Sequence, residues 1–392
     1  MTQLRVLHAI TMLELGGAQR NTLDTVAGLD RSRFEVGLAC ADRGELFGEA
    51  AGLRGVALFP LAHLRREVRP ADDLRAYSEL RSAIRSFGPD IVHTHSSKAG
   101  ILGRASARRE NVPLVVHSIH GWAFGRHQAA PVRWAFLTAE RVAARWTSHY
   151  IAVSRRNVEE GVRLGILDRG QATVIRSGID LAAFRARQGG DAVRAELGIP
   201  RAAPLVVQVA CFKPQKAPER FAELAARVRA GNPEAYFLLV GDGALRGELE
   251  RRRAEAGLEG RLLLPGWRRD IPAVLAAATV VTLTSRFEGL PRVLVEARAA
   301  GVPVAAMDVD GVGEVVEDGI NGFLVPEGDT AVLAARVVEL LADDALRRRL
   351  VVAGRLGLEE WDRQEMVRRQ ERLYLELSRA STGREAKAGA HA

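Results

Sequence analysis

Two α/β domains in tandem, each a Rossmann-like doubly wound parallel sheet, are predicted for this chain, and three observations carry the prediction. The first is size: 392 residues exceed what one hydrophobic core organises and suit two domains of roughly 150 to 200 residues each. The second is rhythm, because short apolar runs alternate with longer stretches of helical period, the pattern of repeated βαβ units. The third is that this rhythm restarts midway, after Gly189-Gly190.

In order, the strand-like runs of the first half are "LRVLHAI" (4–10), "FEVGLA" (34–39), "GVALFP" (55–60), "DIVHT" (90–94), "PLVVHSI" (113–119) and "YIAVS" (150–154). Those of the second half are "PLVVQVA" (204–210), "YFLLV" (236–240), "RLLLPG" (261–266), "VVTLT" (280–284), "PVAAM" (303–307) and "GFLV" (322–325). Continuous Val/Leu/Ile runs of this length suit strands covered by helices on both faces. After Val325 the segments "DTAVLAARVVELLADDALRRRLVVAGRLGL" and "WDRQEMVRRQERLYLEL" are amphipathic and helical. Domain limits follow at 1–185 and 186–360, with a helix at 361–378 packing back on the first domain and a disordered tail at 379–392. Ligands of open α/β sheets sit outside the carboxyl ends of the strands, so two such sheets facing each other imply a cleft.

Composition narrows the class. An apolar fraction of 47% supports packed cores and excludes a disordered or fibrous chain. Met1 is followed almost at once by a strand-like run, which does not read as a signal peptide, and no apolar stretch approaches the length of a spanning helix. Two cysteines, Cys40 and Cys211, fit a reducing cytoplasm rather than a disulfide framework. A net charge of +8 favours anionic partners: nucleotide phosphates, an anionic membrane surface or nucleic acid.

Three motifs follow strands. "LELGGAQRNTL" places Gly16 and Gly17 ahead of a helix, where backbone amides can approach an anion; it is neither a Walker A loop nor a G-x-G-x-x-G fingerprint. "VGDGALRGELE" places Gly241 and Gly243 after a strand, where tight packing is the first reading and a phosphate or ribose the second. "TSRFEGLPRVLVEARAAGVPV" sets Glu288 in a loop and Glu296 in the following helix, two carboxylates able to grip hydroxyls. "CFKPQKAPE" holds Lys213 and Lys216, two of only four lysines among 56 basic residues.

"EGLPRVLVEA" followed by "AGVPV", with "GVGEVVEDGINGFLVP", resembles the Glu-x7-Glu region of the retaining glycosyltransferases of family 4, which have the GT-B fold. The landmarks "LGGAQRN", "DIVHTHSSKAGILGR", "HSIHGWAF", "VIRSGIDLAAF", "LVGDGALR" and "LPGWRRDIPAVLAAATVVTLTS" agree, so the resemblance runs from about Leu4 to Leu377. It implies a UDP- or GDP-sugar bound mainly by the second domain, and a glycan or lipid-linked acceptor bound mainly by the first. It also implies transfer with retention, no metal and no cofactor beyond the nucleotide sugar, in the cytoplasm or at the inner face of the membrane, with no nucleic-acid partner. By matching position, Glu296 holds the ribose, Glu288 the donor sugar or adjacent backbone, and the amides of Gly289 and Leu290 the sugar or phosphate. Gly16 and Gly17 approach the diphosphate, Trp267 and Arg268 border the base through their backbone, and His120 faces the donor sugar. Anchoring the family's Arg and Lys on Lys216 puts Cys211 where the Arg belongs, and Lys213 becomes the candidate substitute. The implied catalytic set is His120, Glu288 and Lys216, with Gly241 on the donor side and His95 and Lys98 as acceptor-side candidates.

Other constellations compete. Asp308 and Asp310 have the Asp-x-Asp spacing of Mg²⁺ sites, which the resembling family leaves metal-free. His93, His95, His117 and His120 could ligate zinc, but a cleft-lining polar cluster is the reading adopted. "PVRWAFLTAERVAARW" (131–146) is amphipathic, with Trp134, Phe136 and Trp146 among Arg133, Arg141 and Arg145; burial against the first sheet is expected, with a membrane surface as the rival. The rival activities are a nucleotide-sugar epimerase or hydrolase on the same fold, and a non-catalytic relic that binds only.

Overall fold

The computed structural model describes residues 3–122, 124 and 128–389, with side chains described as far as 381. The chain divides into two compact units, one built from the residues up to Gly178 together with those from Arg363 onward, the other from Ile179–Asp362.

The first unit holds β1 (Leu4–Ala9), β2 (Phe34–Ala41), β3 (Val56–Leu61), β4 (Ile91–His95), β5 (Leu114–Ile119), β6 (His149–Ala152) and β7 (Ala172–Val174). Its helices are α1 (Gly17–Gly28), α2 (Phe47–Ala51), α3 (Pro70–Phe87), α4 (Ser97–Arg109), α5 (Ala130–Ala144) and α6 (Arg155–Arg163). All strand pairs are parallel, in the order β3-β2-β1-β4-β5-β6-β7. The order reverses between β1 and β4, where chains leave their strands in opposite directions and open a crevice at the carboxyl ends.

Side-chain alternation divides the sheet's two faces. Val6, Ile10, Ile91 and Val116 join the core packed by α1 and the last helix of the chain, whereas Leu7, Ala9, Val92 and Val115 join the core packed by α3 and α4. By the same parity His8, His93, His95, Ser118 and His120 belong to the first face and Thr94 and His117 to the second. Gly100 of α4 matters here: a Cβ on it would lie 2.6 Å from the His117 ring, so only glycine lets α4 sit this close to β5.

The second unit holds α7 (Leu181–Arg185), α8 (Gly190–Glu196), β8 (Leu205–Val209), α9 (Pro218–Gly231), β9 (Tyr236–Val240), α10 (Arg246–Glu255), β10 (Leu262–Leu263) and α11 (Ile271–Ala277). It continues with β11 (Val280–Leu283), α12 (Arg292–Ala299), β12 (Val304–Asp308), β13 (Phe323–Pro326), α13 (Thr330–Ala342) and α14 (Asp344–Gly354). The sheet is again wholly parallel, ordered β10-β9-β8-β11-β12-β13, with its reversal between β8 and β11.

The first crossing between units lies at Gly178/Ile179 rather than at the 185/186 boundary read from the sequence, because α7 packs on α11 and α12. Its entry and exit are tied, Ile179 bridging to Asp362 and donating its N–H to Trp361 O. The last helix, α15 (Arg363–Gly389), belongs to the first unit. Its Met366, Val367, Leu373 and Tyr374 lie in the core beside α1, and Gln370 Nε2 donates to Thr25 Oγ1 at 3.0 Å. The helix continues past Leu377, through the stretch read as a disordered tail, because Ala, Glu, Lys and Arg are good helix formers. Residues 390–392 of that tail fall outside the described residues. Among the described residues no helix is long and apolar enough to cross a membrane.

Candidate functional site

Each sheet reversal carries a polar cluster at its carboxyl edge. In the second unit, the loop after β8 (Ala210–Ala217) meets the loop after β11 (Thr284–Pro291). Lys216 Nζ donates to both carboxylate oxygens of Glu288, at 2.6 and 2.8 Å, and Ser285 Oγ donates to Oε1 at 2.6 Å. Glu288 is only 6% exposed, so its charge is stabilised by these donors rather than by bulk water. Its backbone N–H is held by Asp310 Oδ2 at 2.9 Å. Gln215 stitches the loops together, its Nε2 donating to Phe287 O at 3.0 Å while its carbonyl accepts from Arg286 N at 2.9 Å. Beneath them Thr284 bonds the buried Gln208 side chain and the Ala217 carbonyl.

Backbone conformation marks the same places. Ala217, directly after Lys216, has φ +44°, and Asp310 has φ +40°; in the first unit Ser96, directly after His95, has φ +59°. Non-glycine residues in the left-handed region carry strain that surrounding contacts must hold, and such residues cluster at functional sites. Ser96 is held by Thr11, whose Oγ1 lies 2.7 Å from Ser96 Oγ.

The cluster of the first unit is aromatic and neutral. Parallel pairing sets His8 opposite His93 on β1 and β4. His8 Nδ1 lies 3.1 Å from His95 Nε2, and His95 Nδ1 lies 3.1 Å from His120 Nε2, beyond the end of β5. His93 shares hydrogen bonds with Tyr374 OH of α15 at 2.5 Å and with Ser118 Oγ at 2.8 Å. Burial pushes the His8 imidazolium pKa from 6.5 down to about 3, and pushes those of His93, His95 and His117 well below 6.5. These four rings are therefore uncharged at neutral pH.

His8, His93 and His95 form the one grouping of His, Cys, Asp or Glu side chains, among the described residues, close enough to share a metal ion. Both ring nitrogens of His93 and of His95 are already engaged in hydrogen bonds, so a metal would have to break two of those bonds. The zinc constellation weighed from the sequence is also divided by the sheet: His117 stands on the opposite face, its Nδ1 2.9 Å from Thr94 Oγ1.

The remaining expected site residues are placed as follows. His95 is fully buried between His8 and His120 rather than open to an acceptor, because the alternation of β4 turns it toward α1 and α15. Lys98 forms an ion pair with Asp73 at 2.6 Å and donates to Glu67 O. Gly16 caps α1 and Gly17 opens it, both exposed. Gly241 has φ +137°, and a Cβ there would lie 2.0 Å from Ala210 O, so the glycine is required by the close approach of β9 to the loop after β8. Lys213 precedes a 3-10 turn over Pro214–Lys216, and Cys211 is a half-buried free thiol. Gly289 and Leu290 lie between Glu288 and α12; Glu296, on α12, is half-buried with Arg292 3.9 Å away. Trp267 is exposed, whereas the Arg268 guanidinium is committed to Glu196 and Asp270 at 2.6 Å each.

Helix α5 departs from the expectation of burial. Only Glu140 and Ala143 are fully buried on it, Phe136 packs partly, and Trp134 is 68% exposed. The reason is the ion pair that anchors it: Glu140 Oε2 accepts from the buried Arg104 Nη2 at 2.5 Å, so the inward face is spent on a charge pair and the aromatic at its start turns outward.

Sequence reasoning missed His8, Ser285 and Tyr374. A histidine inside an apolar run reads as core, and Tyr374 is remote in sequence; parity of His8, His93 and His95 on strands that neighbour each other at a reversal is the signal that finds the first.

Residues 191–356 match the family described as "Glycosyl transferases group 1", and residues 15–183 match "Glycosyltransferase Family 4". The UDP-Gal:alpha-D-GlcNAc-diphosphoundecaprenol alpha-1,3-galactosyltransferase of Escherichia coli is 33% identical over 349 residues, 88% of this chain and 90% of that protein. A D-inositol 3-phosphate glycosyltransferase of Streptomyces avermitilis is 32% identical over 271 residues, 65% of this chain and 58% of the relative. In fold, the chain is similar to Anabaena Alr3699/HepE in its complex with UDP-glucose, with a TM-score of 0.80 at 22% identity, covering 95% of this chain and 100% of that one. It is similar also to WaaG, a glycosyltransferase involved in lipopolysaccharide biosynthesis, with a TM-score of 0.77 at 15% identity, covering 94% of this chain and 98% of that one.

Proposed function

Since the chain belongs to glycosyltransferase family 4 and has the GT-B fold, we propose that it moves a hexose from a UDP-sugar to a lipid-diphosphate-linked glycan, with retained configuration and without a metal ion. UDP is favoured over GDP by the Escherichia coli relative, whose name gives UDP-Gal as donor and a diphosphoundecaprenol-linked sugar as acceptor. The observation that carries the assignment of the donor site is the Lys216–Glu288–Ser285 cluster at the reversal of the second sheet.

The chemistry follows from the charges. As the glycosidic C–O bond breaks, negative charge grows on the departing diphosphate, and a preorganised ammonium and backbone amides aimed at its oxygens lower the barrier. Lys216 supplies the ammonium, and Glu288 with Ser285 fixes its position. Lys213 supplies a second cation in place of the family's Arg at Cys211, and the amides of Gly289 and Leu290, with Gly16 and Gly17 at the start of α1, address the sugar and phosphates. Glu296 accepts from the ribose hydroxyls, the backbone at Trp267 and Arg268 borders the base, and His120 meets the transferred sugar. The acceptor hydroxyl attacks the anomeric carbon from the face that the diphosphate leaves, and its proton passes to a diphosphate oxygen.

A lipid-linked acceptor places the reaction at a membrane surface on the cytoplasmic side. Helix α5 fits that surface, with Trp134 and Val132 exposed, Arg133 between them and Arg145 exposed at its C-terminal end.

The test is a thermal-shift screen against UDP-, GDP- and ADP-sugars, followed by transfer to a diphosphate-linked acceptor with and without EDTA. A UDP-sugar that raises the melting temperature and is transferred to an α-linked product in EDTA meets the proposal. Selective stabilisation by a GDP-sugar, an inverted product, or loss of transfer in EDTA defeats the corresponding part. Donor incubated alone must stay intact and unepimerised.

A further inference from the structure

Three successive residues of the loop after β8 are each fastened to the loop after β11. Gln215 is stitched to Arg286 and Phe287, Lys216 to Glu288, and Ala217 to Thr284, whose Oγ1 lies 3.2 Å from the Ala217 carbonyl oxygen. Thr284 is wholly buried, and so is Gln208 of β8, whose Nε2 donates to Thr284 Oγ1 at 3.0 Å. A hydroxyl has one proton to give. Three oxygens lie within its reach, Ala217 O and Gln208 Oε1 at 3.2 Å and Lys216 O at 3.4 Å. Given to Gln208, the proton makes one bond and turns that amide from donor to acceptor. Given to the nearer carbonyl, Ala217 O, it leaves the bond from Gln208 Nε2 in place and makes a second. Buried polar groups pair as fully as geometry allows, so Gln208 donates to Thr284 and Thr284 donates to Ala217.

The backbone that this bond holds is strained. Ala217 joins the 3-10 turn over Pro214–Lys216 to α9 with φ +44° and ψ +54°. A residue with a Cβ resists that conformation, which glycine adopts freely. The Ala217 carbonyl opens α9 by accepting from Arg220 N at 3.0 Å, and the Thr284 hydroxyl takes its second lone pair. In the right-handed region the turn would run straight on into the helix, and Lys216 would swing away from the loop that carries Glu288 and Ser285.

We propose that Thr284, backed by Gln208, is a positioning residue that holds Ala217 in its left-handed conformation and so fixes where the Lys216 ammonium stands. The proposal rests on the reading of Lys216 as the cation that meets the departing diphosphate.

Thr284→Val keeps the volume and removes the hydroxyl. With the UDP-sugar that the donor screen selects, it should lower kcat by about tenfold with KM little changed, the pattern of an interaction made only as charge develops. Thr284→Ser, which keeps the hydroxyl, should stay near the unmodified rate. Ala217→Gly added to Thr284→Val should recover most of the loss, because glycine needs no bond to hold it in the left-handed region. A Thr284 that only stabilised the fold would lower the melting temperature of its variant and leave kcat per folded molecule where it was, and that result overturns the proposal.

A second readout needs no turnover. The chain has four lysines, so side-chain ¹⁵N spectra of the full chain, labelled in lysine, resolve the Lys216 ammonium, assigned by its loss in Lys216→Arg. Its resonance should shift in Thr284→Val and return when Ala217→Gly is added. A resonance unmoved by Thr284→Val, or one that fails to return, also overturns the proposal. If the resonance shifts and returns while kcat stays constant throughout, the hold of Thr284 on Lys216 stands and the reading of Lys216 as the diphosphate's cation falls.

Discussion

The two sheet reversals have the same topology and opposite electrostatics. At the first, four histidines and a tyrosine gather from β1, β4, the turn after β5 and α15, and burial keeps His8, His93 and His95 uncharged. At the second, a lysine and a carboxylate are both ionisable, paired at 2.6 Å, and the lysine is partly open to solvent. The difference teaches a division of labour. Neutral rings sealed from water can orient dipoles but carry no charge, whereas an ammonium held by a buried carboxylate presents a positive charge in a fixed place.

Acid is the strongest way to break this contrast. His8, His93, His95 and His117 have folded-state pKa values depressed below 6.5. An unfolded chain therefore takes up protons as the pH falls through about 6.5, while the folded chain does not. Stability from these rings is complete above that pH and lost below it. A ring that stays unprotonated while the unfolded chain takes up its proton costs about 1.4 kcal/mol per pH unit, and the four shifts act in the same direction. The melting temperature should fall steeply between pH 6 and 5, before most carboxylates titrate, and His8→Leu should flatten the slope. A melting temperature constant down to pH 5 would show that the rings are hydrated.

Arg104 sharpens the comparison within the first unit, since it is a charge sealed where the neighbouring rings are neutral. Arg104→Ala strands the Glu140 carboxylate and should cost about 3–5 kcal/mol in urea unfolding. Arg104→Leu with Glu140→Leu should recover most of that loss; if both forms are equally unstable, packing rather than the charge pair holds α5.

In the second unit, Lys216→Ala should lower kcat by about 10²- to 10³-fold, as removing one donor to a developing oxyanion does. Lys213→Ala should lower it by about tenfold. Equal losses would give Lys213 the rank of Lys216, and an unchanged rate would return Lys213 to a solvent-facing role.

The smallest effect concerns α5. Trp134→Ala with Arg133→Glu and Arg145→Glu should weaken sedimentation with anionic vesicles at low salt by about 1 kcal/mol per basic side chain removed. Arg141 is left unchanged because its guanidinium already donates to the Leu164 carbonyl at 2.7 and 3.0 Å. Absence of vesicle binding by the unmodified chain removes this element from the proposal.

The strands are legible in the sequence because Val/Leu/Ile runs buried on both faces leave a strong signal, and every run named there corresponds to a strand. β7 escapes because three half-buried residues carry no period. Glu288, Glu296 and Lys216 are legible through their positions after strands and their likeness to a known pattern. Ser285 and Asp310 are not, because a hydroxyl three residues from a carboxylate and an aspartate beyond the next strand acquire meaning only when loops fold together. His95 is misread for a related reason: a histidine at a strand's end belongs to the cleft or the interior according to which face its parity selects.

The return of α15 to the first unit has a consequence for synthesis. Met366, Gln370 and Tyr374, which bond Asn21, Thr25 and His93, leave the ribosome only after the whole second unit has emerged. The nascent first sheet must wait with its histidine face uncovered while an inserted domain folds between its halves. A chain stalled at Gly178 should therefore remain loosely ordered and protease-sensitive, and should become resistant only when residues 363–378 are added in trans or by completing translation.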